Sequence, residues 1–139
     1  MKVDGKCLCG AVTYEAEVDT SKIVICHCTD CQTNSGTAYG VVAAVVDGTF
    51  KLRTGETRTF VKVADSGNRR RLEFCATCGT RIVAKPAEGE EGLISLRIGT
   101  ATQRDQLAPI AQLWSRSARA WVQDLSELPS FETVPGAKS

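Results

Sequence analysis

Aromatic side chains are scarce. Two Trp, two Tyr and four Phe make up 6% of the 139 residues, beside a single Met and a single His. So few large groups can fill only a modest core. The one imidazole, His27, also limits the chemistry: a Ser-His-Asp or Cys-His mechanism uses this residue or none. Long apolar runs are missing. None approaches the roughly 18 residues that span a bilayer, and the first ten residues lack the apolar stretch of a secretory signal. Charge of one sign is missing too. Seventeen basic residues against sixteen acidic ones give +1, whereas a dedicated nucleic-acid binder carries a strong basic excess. No stretch pools Pro, Gly and Ser into a linker. We therefore expect one domain over residues 1–134 and a frayed tail at 135–139.

Cysteine is abundant by contrast. The seven Cys fall in three clusters: Cys7-Leu8-Cys9, Cys26-His27-Cys28-Thr29-Asp30-Cys31, and Cys75-Ala76-Thr77-Cys78. An odd count excludes a fully disulfide-paired monomer. Two Cys separated by one residue also rarely meet disulfide geometry. A cytoplasmic, reducing location is the expectation, and clustered thiols there read as metal ligands or redox groups. A redox Cys-x-x-Cys needs a thioredoxin-like βαβ context, which the sequence does not show. An inert set of buried thiols would not need such tight clustering.

The apolar pattern has the period of strands. Val12, Tyr14, Ala16 and Val18 alternate with polar residues over 11–18. Residues 22–26 form a short β-branched run. Residues 37–46 are nearly continuous in small and β-branched side chains and should be buried on both faces. Asp47-Gly48 marks a turn. Residues 49–53 and 57–63 should pair as a hairpin around Thr54-Gly55-Glu56. Further strands are expected at 69–74, 81–85, 93–98 and 110–115. Short helical turns are expected near 102–107 and 118–122. The fold class is mainly β, mostly antiparallel, with eight or more short strands.

Zinc thiolates at about 2.3 Å and tetrahedral angles place neighbouring sulfurs about 3.8 Å apart. Residues i and i+2 of a flat strand lie about 6.6 Å apart. Cys-x-Cys therefore chelates only where the backbone turns, and Gly5 and Gly10 offer that freedom. Seven ligands divide simply as four plus three. Four thiolates close a structural site, and three leave a position for a water or substrate. One partition joins Cys7, Cys9, Cys75 and Cys78 and leaves Cys26, Cys28 and Cys31 as the open set. The other makes a zinc ribbon of Cys28, Cys31, Cys75 and Cys78. His27 is a poor fourth ligand, because adjacent residues point apart; we expect a supporting or surface role. Arg69, Arg70 and Arg71 read as a solvated strand edge, or as a means of capturing an anionic substrate. Trp114 and Trp121 read as core or rim packing.

The arrangement resembles the glutathione-dependent formaldehyde-activating enzyme family, which also includes centromere protein V. The matching elements are Gly5-Lys6-Cys7-Leu8-Cys9-Gly10-Ala11-Val12, Cys26-His27-Cys28-Thr29-Asp30-Cys31 followed by Ser35-Gly36, and Phe74-Cys75-Ala76-Thr77-Cys78-Gly79-Thr80. Leu128-Pro129-Ser130-Phe131 looks like the family's C-terminal end. The resemblance implies a β-tent of coiled antiparallel sheets, related to methionine sulfoxide reductase B. It implies two zinc ions: Cys7, Cys9, Cys75 and Cys78 as structural ligands, and Cys26, Cys28 and Cys31 as ligands of an open, catalytic and more labile zinc. It implies a carbon–sulfur lyase that joins glutathione and formaldehyde into S-hydroxymethylglutathione. The partners would be a small thiol and a small aldehyde, with neither nucleic acid nor membrane. A non-catalytic zinc module or thiol carrier is the alternative. The sequence departs from the family pattern at Gln32, where Arg or Lys is common, at Leu72 and Glu73, and at Gln112, where many members carry His. These departures bear on the substrate and leave the metal ligands intact.

Overall fold

The computed structural model describes residues 1–136; the end of the expected tail, 137–139, lies outside the described residues. Nine strands form the sheet: β1 (Lys2–Lys6), β2 (Thr13–Cys26), β3 (Gly40–Val45), β4 (Lys51–Thr54), β5 (Thr57–Val63), β6 (Arg69–Cys75), β7 (Arg81–Pro86), β8 (Ile94–Arg97) and β9 (Ala111–Leu113). The order is β1-β2-β3-β8-β7-β6-β5, with β4 and β9 also paired to β2. Every pairing is antiparallel except β2 with β9. The expected mainly β, antiparallel class is what is observed. Among the described residues no helix is long and apolar enough to cross a membrane.

β2 is the spine. The alternating stretch and the β-branched run expected as two strands are one 14-residue strand with a bulge between Asp19 and Ile23. A bulge bends its strand and increases the twist. Residues 13–17 of β2 pair with β1 and, in part, β4, while Val18, Asp19 and residues 23–26 pair with β3 and residues 24–26 also with β9. Val3, Tyr14, Val18, Ile23, Ala43, Val45, Ile82, Val83, Leu96 and Leu107 form the core. Cys7 and Cys75, each 1% exposed, belong to the same cluster. The thin core implied by the few aromatics is thus extended by sulfur.

Several expectations need correcting. The hairpin around Gly55 does not form: β4 pairs with β2, and β5 with β6. Thr54 explains the divergence. Its hydroxyl donates to the Ala11 carbonyl at 3.0 Å and lies 2.7 Å from that of Thr13, which draws β4 onto β2. Ala76 N–H donates to the Glu56 carbonyl at 3.1 Å and starts β5 along β6. β3 is shorter than expected; Ala43, Ala44 and Val45 are buried in succession, hence on both faces, while Val41 and Val42 are half-buried. β6 is an interior strand, so its arginines do not line an edge. β1 had no counterpart in the sequence reading. Nor did a seven-residue helix, α1 (Thr29–Ser35), which is too short for periodicity to reveal. The turns near 102–107 and 118–122 appear as 3-10 segments at Arg104–Gln106 and Ala120–Glu127.

Gly5 does not serve as a turn. It lies in β1 opposite Tyr14, and a Cβ there would collide with the Thr100 carbonyl and the Tyr14 hydroxyl. Tyr14 is 1% exposed, stacks on Phe50 at 5.5 Å, and meets the Thr100 hydroxyl at 2.8 Å. Burial pushes its phenol up to about 12, so it stays a neutral hydrogen-bonding group. Tyr14→Phe should keep the packing and lose this one bond. Chemical denaturation should show a loss of about 1 kcal/mol with an unchanged slope.

Candidate metal centres

Cys7, Cys9, Cys75 and Cys78 have their sulfurs within 4.8 Å of one another. Cys7 and Cys9 sulfurs are 3.5 Å apart, and Cys9 and Cys75 sulfurs 3.9 Å. These values bracket the spacing of about 3.8 Å that a tetrahedral thiolate site requires. The turn that permits it is local. Gly10 has φ of 80°, and its N–H donates to the Cys7 carbonyl at 3.1 Å. Cys7 N–H closes the loop on the Val12 carbonyl at 3.0 Å. The second pair sits in a knuckle after β6, where Gly79 has φ of 76°.

Donors aim at these sulfurs. Val12 N–H lies 3.2 Å from the Cys7 sulfur, while Thr77 and Cys78 N–H lie 3.4 and 3.5 Å from that of Cys75. The Thr80 hydroxyl is 3.1 Å from the Cys78 sulfur and also accepts from Leu8 N–H at 3.0 Å. Thr80 thus ties the two cysteine loops together. Hydrogen bonds from Thr80, then its backbone N–H and that of Cys9, pull the Cys78 thiol down to about 5. Preformed N–H and O–H donors favour thiolate, the form a metal binds. The donor set, spacing and donor field all fit a thiophilic divalent cation.

Cys26, Cys28 and Cys31 form the other cluster, also within 4.8 Å and each half-buried. Cys26 ends β2. Cys28 is the N-cap of α1, and its sulfur accepts from Cys31 N–H at 3.3 Å. Gly36, in the left-handed conformation with φ of 68°, ends the helix. The thiols share charge unequally. The Cys31 thiol, then the Cys28 N–H and thiol, and the charge of Arg97 outweigh burial and draw Cys26 down to about 5. The bond to Cys26 and then burial push Cys31 up. Cys26 and Cys31 thus share one proton between them, with the anion favoured at Cys26. The four-plus-three grouping is the one brought together; Cys28 and Cys31 do not join Cys75 and Cys78.

His27 is 1% exposed, so it is no surface group. Its ring turns away from the thiols, with Nε2 2.8 Å from Gln112 Oε1 and an edge contact to Tyr39 at 5.6 Å between centroids. Its backbone N–H donates to the Leu113 carbonyl at 3.0 Å, and its carbonyl accepts from Gln32 Nε2 at 2.8 Å. Gln32 also donates to the Ser117 carbonyl at 3.0 Å. Gln32 and Gln112 therefore clasp His27 between them. The three arginines of β6 are engaged internally. Arg69 meets Glu90 at 3.2 Å, Arg71 meets the buried Glu73 at 3.4 Å, and Arg70 donates to the Leu93 carbonyl at 2.7 Å. Trp114 and Trp121 are 53% and 56% exposed, and Trp114 stacks with Arg116, so neither is core. Sequence reasoning missed Arg97, which reaches the three-thiol site from β8. Only the sheet register could have revealed it.

Fold and sites together define a mainly antiparallel β protein with two cysteine clusters able to hold metal ions. The chain belongs to the glutathione-dependent formaldehyde-activating enzyme family, whose model matches residues 2–117. The segment around Leu128-Pro129-Ser130-Phe131 lies beyond the matched residues. No curated protein matches the chain. It is similar to the crystal structure of a Rhodobacter sphaeroides protein, a structural genomics target. The identity is 17% and the TM-score 0.59, covering 78% of this chain and 98% of that one. At that identity the likeness is one of fold.

The two clusters differ in what they tie. Cys75→Ser breaks a junction between residues far apart in sequence and should leave the protein aggregated or lacking cooperative unfolding in circular dichroism. Cys28→Ser touches only a local site. It should fold, with bound metal falling from about two ions per chain to about one by elemental analysis. Equal loss of fold in both variants would contradict the division.

Proposed function

We propose that the chain is a zinc-dependent carbon–sulfur lyase of the S-(hydroxymethyl)glutathione synthase type, acting on glutathione or a similar thiol and a small aldehyde. The observation that carries this reading is the division of the thiols. Four form one set around two buried members, and three half-buried ones stand apart with a side left accessible. Family membership supplies the thiol and aldehyde theme. On this reading Cys7, Cys9, Cys75 and Cys78 hold a structural zinc, and Cys26, Cys28 and Cys31 hold the working one. Zinc there would bind a thiolate, or polarise an aldehyde oxygen as a Lewis acid.

The chain's own residues do the positioning. Cys26 and Cys28 flank His27, and the bonds from Gln112, Leu113 and Gln32 fix His27 at both ring and backbone. The pair of sulfurs is thereby presented at a set angle. In the reaction a carbon–sulfur bond forms between thiol and carbonyl carbon, and the thiol proton ends on the new hydroxyl. Holding both partners makes a bimolecular addition effectively intramolecular. All seven cysteines are free, which suits a reducing cytoplasmic location.

One observation favours a thiol carrier or non-catalytic module as the second reading. His27, the only imidazole, is buried with its Nε2 bonded to Gln112, so no exposed imidazole stands at the three-thiol site. Three thiolates around a divalent ion also leave a net charge near −1 and a weakened Lewis acid, so thiol capture outweighs carbonyl polarisation. Exchange NMR of glutathione and formaldehyde with the protein tests turnover, and the expected result is faster exchange lost in Cys26→Ser. Calorimetric glutathione binding without acceleration would establish the carrier. No binding at all would leave the module.

A further inference from the structure

Residue 40 is glycine without a backbone reason. It lies within β3 and is not among the glycines with positive φ. The reason is spatial. A Cβ on Gly40 would collide with Nη1 of Arg97 and would lie 3.5 Å from the Cβ of Cys31. The register explains the meeting. Cys26 pairs with Gly40, Val24 with Val42, and Val42 with Arg97. Two-residue steps keep the same face of a strand. Cys26, Gly40 and Arg97 therefore share one face of the sheet, and the missing side chain lets the guanidinium lie across β3 toward the three thiols.

Other cations near this face are committed. Lys62 pairs with Asp30 of α1 at 3.6 Å, and Arg70 donates to the carbonyls of Leu93 and Ala84. Among the described residues the Arg97 guanidinium has neither an ion pair nor a hydrogen bond, although the residue is half-buried. A planar fork of donors left unpaired beside a ligand position suits a carboxylate, which it binds through two parallel bonds.

We propose that Arg97 is the specificity-determining residue of the three-thiol site, receiving the carboxylate of an acidic thiol whose sulfur is held at Cys26, Cys28 and Cys31. The inference rests on the thiol-binding reading above and deepens it. It makes the preferred substrate class a mercaptocarboxylate, and it gives Gly40 the task of clearing the path for the guanidinium. Neutral thiols of the same size would bind through sulfur alone.

The test compares 3-mercaptopropionate with 3-mercaptopropan-1-ol by calorimetry on the metal-loaded full chain. The native protein should prefer the acid by roughly tenfold, the scale of one charge-assisted hydrogen-bonded contact. Arg97→Gln should abolish that preference, so that the acid and the alcohol bind equally, and Arg97→Lys should restore part of it. Gly40→Ala should reproduce the loss with the charge still present, because the new methyl displaces the guanidinium. Equal affinities in the native protein, or a preference that survives Arg97→Gln, would overturn the role of Arg97 while thiol binding stood. If neither thiol binds, the functional reading fails, and alkylation then decides the matter for Arg97 alone. The ratio of iodoacetate to iodoacetamide modification, read by peptide mass spectrometry, should be higher at Cys26–Cys31 than at the exposed Cys9, and should fall in Arg97→Gln. An unchanged ratio would end the proposal.

Discussion

Four sulfur atoms packed around a common point are the constraint on which the rest depends. Thiolates repel one another at this distance, and thiols gain little from being there. The cluster is therefore favourable only with a shared cation, or with protons distributed among its members. Two of its residues are also core residues, in contact with the apolar groups of β2, β7 and β8. The loop after β1 and the knuckle after β6 meet there, and Thr80 bonds to both. In a chain with so few large side chains, a cation shared by this cluster would add cohesion where packing alone offers little.

The strand pattern was legible where side chains alternate cleanly, as at Val12, Tyr14, Ala16 and Val18, because burial of one face imposes a period of two. It misled at Gly55. A turn sequence states that the chain reverses, not that the two arms pair with each other. Here Thr54 bonds to Ala11 and Glu56 to Ala76, so the arms join different neighbours. β1 and α1 escaped notice for a different reason. Each is short and carries few apolar residues: β1 is held by pairing with the strand that follows it, and α1 by its own caps and the bond from Gln32 to Ser117.

The cysteine grouping was readable because ligand spacing is a local property, and the family resemblance chose between the two partitions. What surrounds the thiols was not readable. Gln32 and Gln112 read as departures that bear on the substrate, yet both bind His27, Gln112 at the ring and Gln32 at the backbone carbonyl between Cys26 and Cys28. The basic run of β6 looked like an anion trap, yet each arginine is spent on the sheet's own acids and carbonyls. Arg97 drew no attention as an isolated cation between apolar residues. Its place is set by the pairing of β2, β3 and β8, which no local pattern encodes.

The two thiol sets also differ in the length of chain they enclose. Cys9 and Cys75 are 66 residues apart, so their junction closes a long loop, whereas Cys26, Cys28 and Cys31 lie within one strand end and one helical turn. The entropy of closing the long loop is borne by the global fold, and the short one costs almost nothing to close. The three-thiol set is therefore a detachable appliance on a self-sufficient frame. Substitutions in it can change what is held there while the frame stands, which leaves descendants of one scaffold free to diverge in what they bind.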